Sequence, residues 1–371
     1  MLNAEIPDDF KNITASISVK ALRNNLEYLR KKSGVDVMVC VKSNSYGHGI
    51  IQISKLCRKF GVKYLGVATL GEAMQIRNSG DKGRILGWLY DVNSDQVKIA
   101  VQNNIDIAIF DHKHIDIISN SLPVGTKANI HLFVDTGINR NGVVYEKAVD
   151  SAIKIENDPK FKLVGIMSHL CCSEIKNDTF TMNQFQLFRK LKQDLCHVNI
   201  YPELYHISST NGVLNYDTGD FNLVRCGRGF YGLDDSQNKN LIPALCLSSK
   251  IVQLKCIPAG SGVGYERKYI SQNKQYIGIV SIGYGDLLPL VNKEKMHVIV
   301  NGTKRKVLGL ESMDQIVIQA KKGDKLGDDV CFFGDTNKGF INPIFFSKQT
   351  GTTLLNILSH RGRRIKYEYV E

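Results

Sequence analysis

The sequence predicts an α/β protein, with an N-terminal (β/α)8 TIM barrel over residues 1–240 and a C-terminal, mainly β domain over residues 241–371. Three observations predict it. Short apolar runs rich in β-branched residues recur eight times, amphipathic stretches of helical period lie between them, and beyond about Asn240 that period fades. Alternating strand and helix argues for a parallel sheet, and eight repeats over this length argue for its closure into a barrel. A chain of 371 residues, 43% of them hydrophobic, is long enough to bury two cores.

The eight strand candidates are residues 36–41, 64–67, 84–86, 105–109, 130–134, 163–167, 204–207 and 223–225. Among the helical stretches, Thr69 opens a run to Arg77 with Glu72 three positions on, the spacing of a capping box. Residues 145–158 and 178–196 carry the same apolar period. In the last third, strand-like runs at 276–282, 297–300 and 329–333 are separated by turns bearing Gly, Asn and Asp. No low-complexity linker divides the two parts, so they are expected to pack tightly.

A formal net charge of +12 raises nucleic acid or a membrane as partners. Lysines and arginines are scattered, however, and no aromatic-basic module accompanies them, so neither partner is expected and an anionic small ligand explains the charge as well. No apolar run approaches the roughly 20 residues that span a bilayer, and residues 1–14 lack a signal-peptide core, so a cytoplasmic location is expected. The nine cysteines, which include the adjacent pair Cys171 and Cys172, form no paired knuckle with histidines at zinc spacing. Buried reduced thiols and no metal are the expectation.

On this strand assignment the conspicuous polar residues all fall at one end of the barrel. Lys42 follows the first strand and leads into Ser43-Asn44-Ser45-Tyr46-Gly47-His48-Gly49, residues 135–140 follow the fifth, and Ser168-His169 the sixth. Ser208-Ser209-Thr210 follow the seventh and Cys226-Gly227-Arg228-Gly229 the eighth. Loops at the C-terminal ends of barrel strands carry catalytic groups, and those after strands seven and eight commonly hold phosphate. A lysine amine beside a phosphate cradle points to pyridoxal 5'-phosphate, bound covalently through the amine and tethered by amides and hydroxyls. Singly these residues decide little. Lys42 also suits a solvated strand end, His169 and His206 suit structural roles, Arg225 suits a carboxylate partner and Thr210 a helix cap. Their coincidence in one mouth favours a site.

The ordered motifs Val41-Lys42-Ser43-Asn44-Ser45-Tyr46-Gly47-His48-Gly49, Tyr64-Leu65-Gly66-Val67-Ala68-Thr69, Asp135-Thr136-Gly137-Ile138-Asn139-Arg140-Asn141-Gly142, Val224-Arg225-Cys226-Gly227 with Tyr231-Gly232, Ile282-Gly283-Tyr284-Gly285-Asp286 and Ser312-Met313-Asp314-Gln315 resemble the alanine racemases, which are fold-type III pyridoxal phosphate enzymes. The resemblance runs nearly end to end. It implies a barrel and a β domain assembled as a homodimer with composite active sites. The activity implied is two-base interconversion of L- and D-alanine, supplying D-alanine for peptidoglycan. Lys42 is implied to hold the cofactor and act as one base, and Tyr265 to reach in from the partner subunit as the other. Two acid-base groups on opposite faces of a planar carbanion suit both directions. Arg225 is implied to face the pyridine nitrogen, where its charge disfavours ring protonation, with His169 and His206 linking it toward Tyr265. Arg140 and the backbone near Met313 are implied to hold the substrate carboxylate, and Tyr46, Thr210 and the Gly227 amide the phosphate. Taken singly, Tyr265, Tyr284 and Met313 suit ordinary packing as well.

Several positions depart from the family pattern. Phe133, seven positions before Arg140, stands where many members carry a carbamylated lysine that supports that arginine, so another anion or a packing adjustment is expected to orient Arg140. Leu287 replaces a usual glycine and Leu290 a usual arginine. A tyrosine that touches the phosphate in the family falls on Thr352 or on Leu355, depending on how the tail is matched. Two other readings remain at this point: a racemase of serine or other small amino acids, and a non-catalytic pyridoxal phosphate carrier. The extra β domain and Tyr265 argue against the carrier.

Overall fold

The computed structural model describes residues 6–234, 238–288, 296–359, 362 and 364–371. It divides into two compact units. One comprises Leu26–Ser45 and Gly49–Phe230; the other comprises the described residues up to Asn25, Tyr46–His48, and the described residues from Tyr231 onward. This division falls at 230/231, ten residues before the expected 240, and groups the N-terminal segment with the second unit. The reason is a hydrogen-bond ladder: β1 (Ile13–Ser18) pairs antiparallel with β11 (Leu245–Ile257) and parallel with β19 (Ile365–Val370).

In the barrel unit, β2 (Asp36–Cys40), β3 (Tyr64–Thr69), β4 (Arg84–Leu89), β5 (Asp106–Ile109), β6 (Ala128–Asp135), β8 (Phe161–Met167), β9 (Leu204–His206) and β10 (Leu223–Cys226) form a parallel sheet in the order β10-β2-β3-β4-β5-β6-β8-β9. A two-residue strand, β7 (Val143–Val144), pairs with β6 off this path. All eight expected strands coincide with barrel strands. β9 and β10 share no ladder, but the Arg225 N–H donates to the Ser208 carbonyl at 2.9 Å, which nearly closes the ring. Strands covered on both faces read as continuous apolar runs, and these do. Met38, Tyr64, Leu86, Phe133, Val164 and Leu223 belong to one buried cluster, with Trp88 and Phe110 packed against it.

The connecting helices α1 (Val19–Ser33), α2 (Ile50–Lys59), α3 (Leu70–Asn78), α4 (Gln96–Gln102), α5 (His114–Ser121), α6 (Ala148–Glu156), α7 (Thr179–His197) and α8 (Thr210–Asn215) follow the strand order. The capping box read at Thr69 is formed. Its hydroxyl accepts from the Glu72 N–H at 3.2 Å, and the Glu72 carboxylate accepts from the Thr69 N–H at 3.1 Å.

The second unit holds an eight-stranded sheet in the order β14-β17-β16-β15-β18-β11-β1-β19. Its remaining strands are β14 (Gln275–Val280), β15 (His297–Val300), β16 (Thr303–Leu308), β17 (Ile316–Ala320) and β18 (Asp329–Phe333), and β12 (Gly262–Val263) with β13 (Tyr269–Ile270) forms a separate hairpin. The three strand-like runs of the last third are among them. Two short helices, α9 (Pro343–Thr350) and α10 (Leu354–Ser359), interrupt the expected β character. Asn342 caps the first, and Gly351 ends it in the left-handed conformation. Thr352 falls between the two helices and Leu355 within α10. Leu287 is buried, and Leu290 lies outside the described residues.

Candidate active site

Lys42 leaves β2 into a single left-handed turn. Ser43, Asn44, Ser45 and Tyr46 all carry φ between 49° and 57°, a conformation that costs L-residues roughly 1–2 kcal/mol each. Strain of this kind persists only where the surroundings over-determine it. Here the Ser43 N–H donates to the Glu72 carboxylate at 2.6 Å, the Ser45 N–H to the Val41 carbonyl at 2.8 Å, and the Ile50 N–H to the Asn44 side-chain oxygen at 2.7 Å. Glu72 thus serves helix α3 and the lysine turn together, and the capping-box spacing disclosed only the first role. The Lys42 Nζ lies 5.9 Å from the ring centroid of Trp88, the chain's single tryptophan, whose half-buried face the sequence reading passed over.

Arg225, on the neighbouring strand β10, is 6% exposed. One guanidinium nitrogen donates to the His206 carbonyl at 2.6 Å and to His206 Nδ1 at 3.0 Å; the other donates to the Ser168 carbonyl at 2.5 Å and approaches His169 Nδ1 at 3.3 Å. Burial pulls its pKa down to about 10, which leaves it a cation at neutral pH. Burial and the positive charges of Arg225, Arg140 and Lys42 push His169 down to about 3. His206 is driven well below its ordinary value by burial and by Arg225. Both imidazoles are therefore neutral. The charges acting on His169 show that the barrel gathers Lys42, Arg140, His169 and Arg225 at one end.

These depressed values make stability depend on pH. The unfolded chain takes up a proton at His169 near pH 6.5, while the folded chain does so only near 3. Between those values the unfolded state binds more protons, so stability falls as pH drops, by about 1.4 kcal/mol per pH unit for this one group. His206 acts in the same sense. Tm is expected to decline from pH 7 to pH 5, with a shallower decline in His169→Asn; equal slopes in the two proteins contradict this.

After β9 and β10 the loops form a cradle of small polar groups. The Gly229 N–H donates to the Thr210 hydroxyl at 3.0 Å, and a Cβ at residue 229 would come within 2.6 Å of Thr210 Cγ2, so only glycine permits this approach. Gly227 opens the turn by accepting from the Phe230 N–H at 2.9 Å. The Ser208 hydroxyl is buried and has no hydrogen-bond partner among the described residues. A buried orphan hydroxyl is costly unless something accepts from it. An amine at a strand end and a cradle of small donors fit the aldehyde and the phosphate of pyridoxal phosphate.

The loop after β6 is shaped by Asp135, whose carboxylate accepts from the Gly137 N–H at 2.8 Å and the Asn139 N–H at 3.3 Å. It delivers Arg140, which is exposed and has no assigned hydrogen bond or ion pair among the described residues. Phe133 is 4% exposed within the apolar barrel cluster. Gln184 of α7 joins two of these loops. Its amide nitrogen donates to the Thr136 hydroxyl and the His169 carbonyl at 3.1 and 3.0 Å, and its oxygen accepts from the Cys171 N–H at 2.8 Å. Gln184 had no signal as a site residue beyond its residue type, whereas Ser208 lies in the loop after the seventh strand that the sequence pattern singles out.

Tyr46, Tyr265 and Met313 belong to the other unit. The Tyr46 ring lies 5.2 Å from that of fully buried Tyr231. Tyr265 is 65% exposed and Met313 54%. The Tyr284 and Gly285 N–H groups donate to the Ser312 and Met313 carbonyls at 3.2 and 2.9 Å, so two separate motifs form one surface. A Cβ at Gly283 would come within 2.2 Å of the Ser312 oxygen. Among the described residues no cluster of three or more His, Cys, Asp or Glu side chains is placed to hold a metal, and no helix is long and apolar enough to cross a membrane. No cysteine is in a disulfide among the described residues; contrary to expectation, Cys171 and Cys256 are exposed.

Comparison with known proteins agrees along the whole chain. Residues 17–235 match the family model "Alanine racemase, N-terminal domain" and residues 244–369 match "Alanine racemase, C-terminal domain". The alanine racemase of Thermobifida fusca is 29% identical over 366 residues, covering 96% of this chain and 97% of that one. The crystal structure of alanine racemase from D-cycloserine-producing Streptomyces lavendulae superposes with a TM-score of 0.91 at 27% identity, covering 99% of this chain and 98% of that chain. That of Clostridium difficile 630 gives 0.89 at 26% identity, with 97% and 96% covered.

Proposed function

The chain belongs to the alanine racemase family, and from that membership we infer that it interconverts L- and D-alanine at the mouth of its barrel with pyridoxal 5'-phosphate held by Lys42. The observation that carries this reading is the convergence of Lys42, Arg140 and Arg225 on neutral His169 beside the Ser208 and Thr210 cradle. When bound, the cofactor supplies the electron sink that acidifies the α-proton of an amino acid.

The remaining work falls to the chain's own residues. Lys42 carries the cofactor through its amine and moves a proton at one face of the substrate α-carbon. Tyr265 of the partner subunit moves the proton at the other face, and its exposure together with that of Met313 supports a homodimer in which these groups complete a neighbour's site. Arg225 presents a fixed cation to the ring nitrogen, held by burial, by three backbone carbonyls and by His206 Nδ1. Arg140, exposed and unengaged, pairs with the substrate carboxylate. Thr210, the Gly227 amide, Tyr46 and Ser208 hold the phosphate. The location proposed is the cytoplasm, where nine free cysteines stay reduced, and the product D-alanine serves peptidoglycan synthesis.

Chiral analysis of L-alanine incubated with the purified protein and added cofactor tests the reading, with L-serine in parallel. D-alanine is expected to form faster than D-serine. Absence of any D-amino acid from a protein that has taken up the cofactor would point to a carrier.

With Thr352 or Leu355 where relatives place a phosphate-contacting tyrosine, cofactor retention is expected to be weak. One neutral hydrogen bond is worth about 0.5–1.5 kcal/mol, a fewfold to tenfold in affinity. Prolonged dialysis should strip the protein, and returning cofactor should quench the fluorescence of Trp88 beside Lys42. Full retention through dialysis contradicts this.

A further inference from the structure

We propose that His131 on β6 and Asp106 on β5 are positioning residues for Arg225, acting through His206 in a row of buried groups with one allowed arrangement of protons. The proposal rests on the reading that Arg225 faces the cofactor ring. A guanidinium only donates, so His206 Nδ1, 3.0 Å away, accepts. The His206 proton is then on Nε2, which lies 2.9 Å from His131 Nδ1 and donates to it. His131 in turn carries its proton on Nε2, which faces Asp106 Oδ2 at 3.7 Å. That separation is longer than a hydrogen bond, and Asp106 itself accepts from Arg84 Nε at 2.8 Å and from the Asn129 amide at 3.0 Å. Reversing either ring, or protonating it fully, sets donor against donor.

Burial raises the cost of any error in this row. Asp106, His131 and His206 are at most 1% exposed. The Arg84 guanidinium, 2.7 Å from the same Asp106 oxygen, gives the carboxylate a cationic partner. Burial and the Arg225 charge keep His206 from taking a second proton. The fold also makes room for the row. A Cβ at Gly165 would fall 2.6 Å from His131 Nδ1, and the β6–β8 register shifts between Ile130 and His131. Such a shift re-aims a side chain. Without Asp106 the Nε2 proton of His131, which has no hydrogen-bond partner among the described residues, loses the carboxylate charge it faces, the two rings are free to turn, and Arg225 loses the nitrogen that orients it from behind.

The test begins with histidine-labelled protein without cofactor, read by nitrogen NMR at neutral pH. His131 and His206 are expected to be neutral with the proton on Nε2. Asp106→Ala should abolish that pattern and lower kcat at least about tenfold with KM changed less than about threefold, a split that reports lost transition-state alignment. Asp106→Asn, which keeps an oxygen dipole facing His131 Nε2, should restore both in part. An imidazolium or an Nδ1 proton at either ring in the unsubstituted protein overturns the proposal, as does Asp106→Ala with unchanged ring signals and kcat. If Asp106→Ala does not fold, the unsubstituted protein decides alone. Because the ring signals are read without cofactor or substrate, their failure is distinct from a failure to racemise alanine.

Discussion

Lys42→Ala is expected to lose racemisation by more than about a thousandfold, because one substitution removes both the covalent attachment and one of the two proton-transfer groups. The fold should survive it. Lys42 is only half-buried, and the turn that follows it is held by backbone bonds and by the Glu72 carboxylate rather than by the ammonium. The variant should show an unchanged Tm without cofactor and should yield no borohydride-stable adduct. Activity within tenfold of the parent in such a variant would remove Lys42 from the chemistry.

Tyr265→Phe is expected to separate the two directions of the reaction. The hydroxyl is all that changes, and at 65% exposure the side chain contributes little to its own unit. Cofactor absorbance should stay intact, while abstraction from the L face slows by roughly a hundredfold to ten-thousandfold, the range a positioned acid-base group supplies. Solvent deuterium wash-in at the α-carbon of each enantiomer reads the two faces apart. Exchange from L-alanine that is as fast as in the parent would show that another group serves that face.

The barrel was legible because its strands are covered on both sides and so appear as unbroken β-branched runs, each followed by the polar residue it delivers. Lys42, His169, His206 and Arg225 were all singled out by this rule of strand ends. β1 was not, because Ile13-Thr14-Ala15-Ser16-Ile17-Ser18 takes its place from β11 and β19, partners far along the chain that local pattern cannot reveal. The left-handed turn was hidden for a different reason. Ser43, Asn44, Ser45 and Tyr46 lack the glycine that normally announces positive φ, and the strain is supported from Glu72, on another strand-helix unit. Gln184 and Trp88 likewise meet their partners only in the folded chain. Asp106 and His131 sat inside two predicted strands, where a buried polar residue has no periodicity to betray it.

The most direct test is to reduce the cofactor-loaded protein with borohydride and map the modified peptide by mass spectrometry. A phosphopyridoxyl group on Lys42, with activity lost in proportion to labelling, is the predicted result. Label on a different lysine, or full activity after stoichiometric labelling of Lys42, would contradict the account.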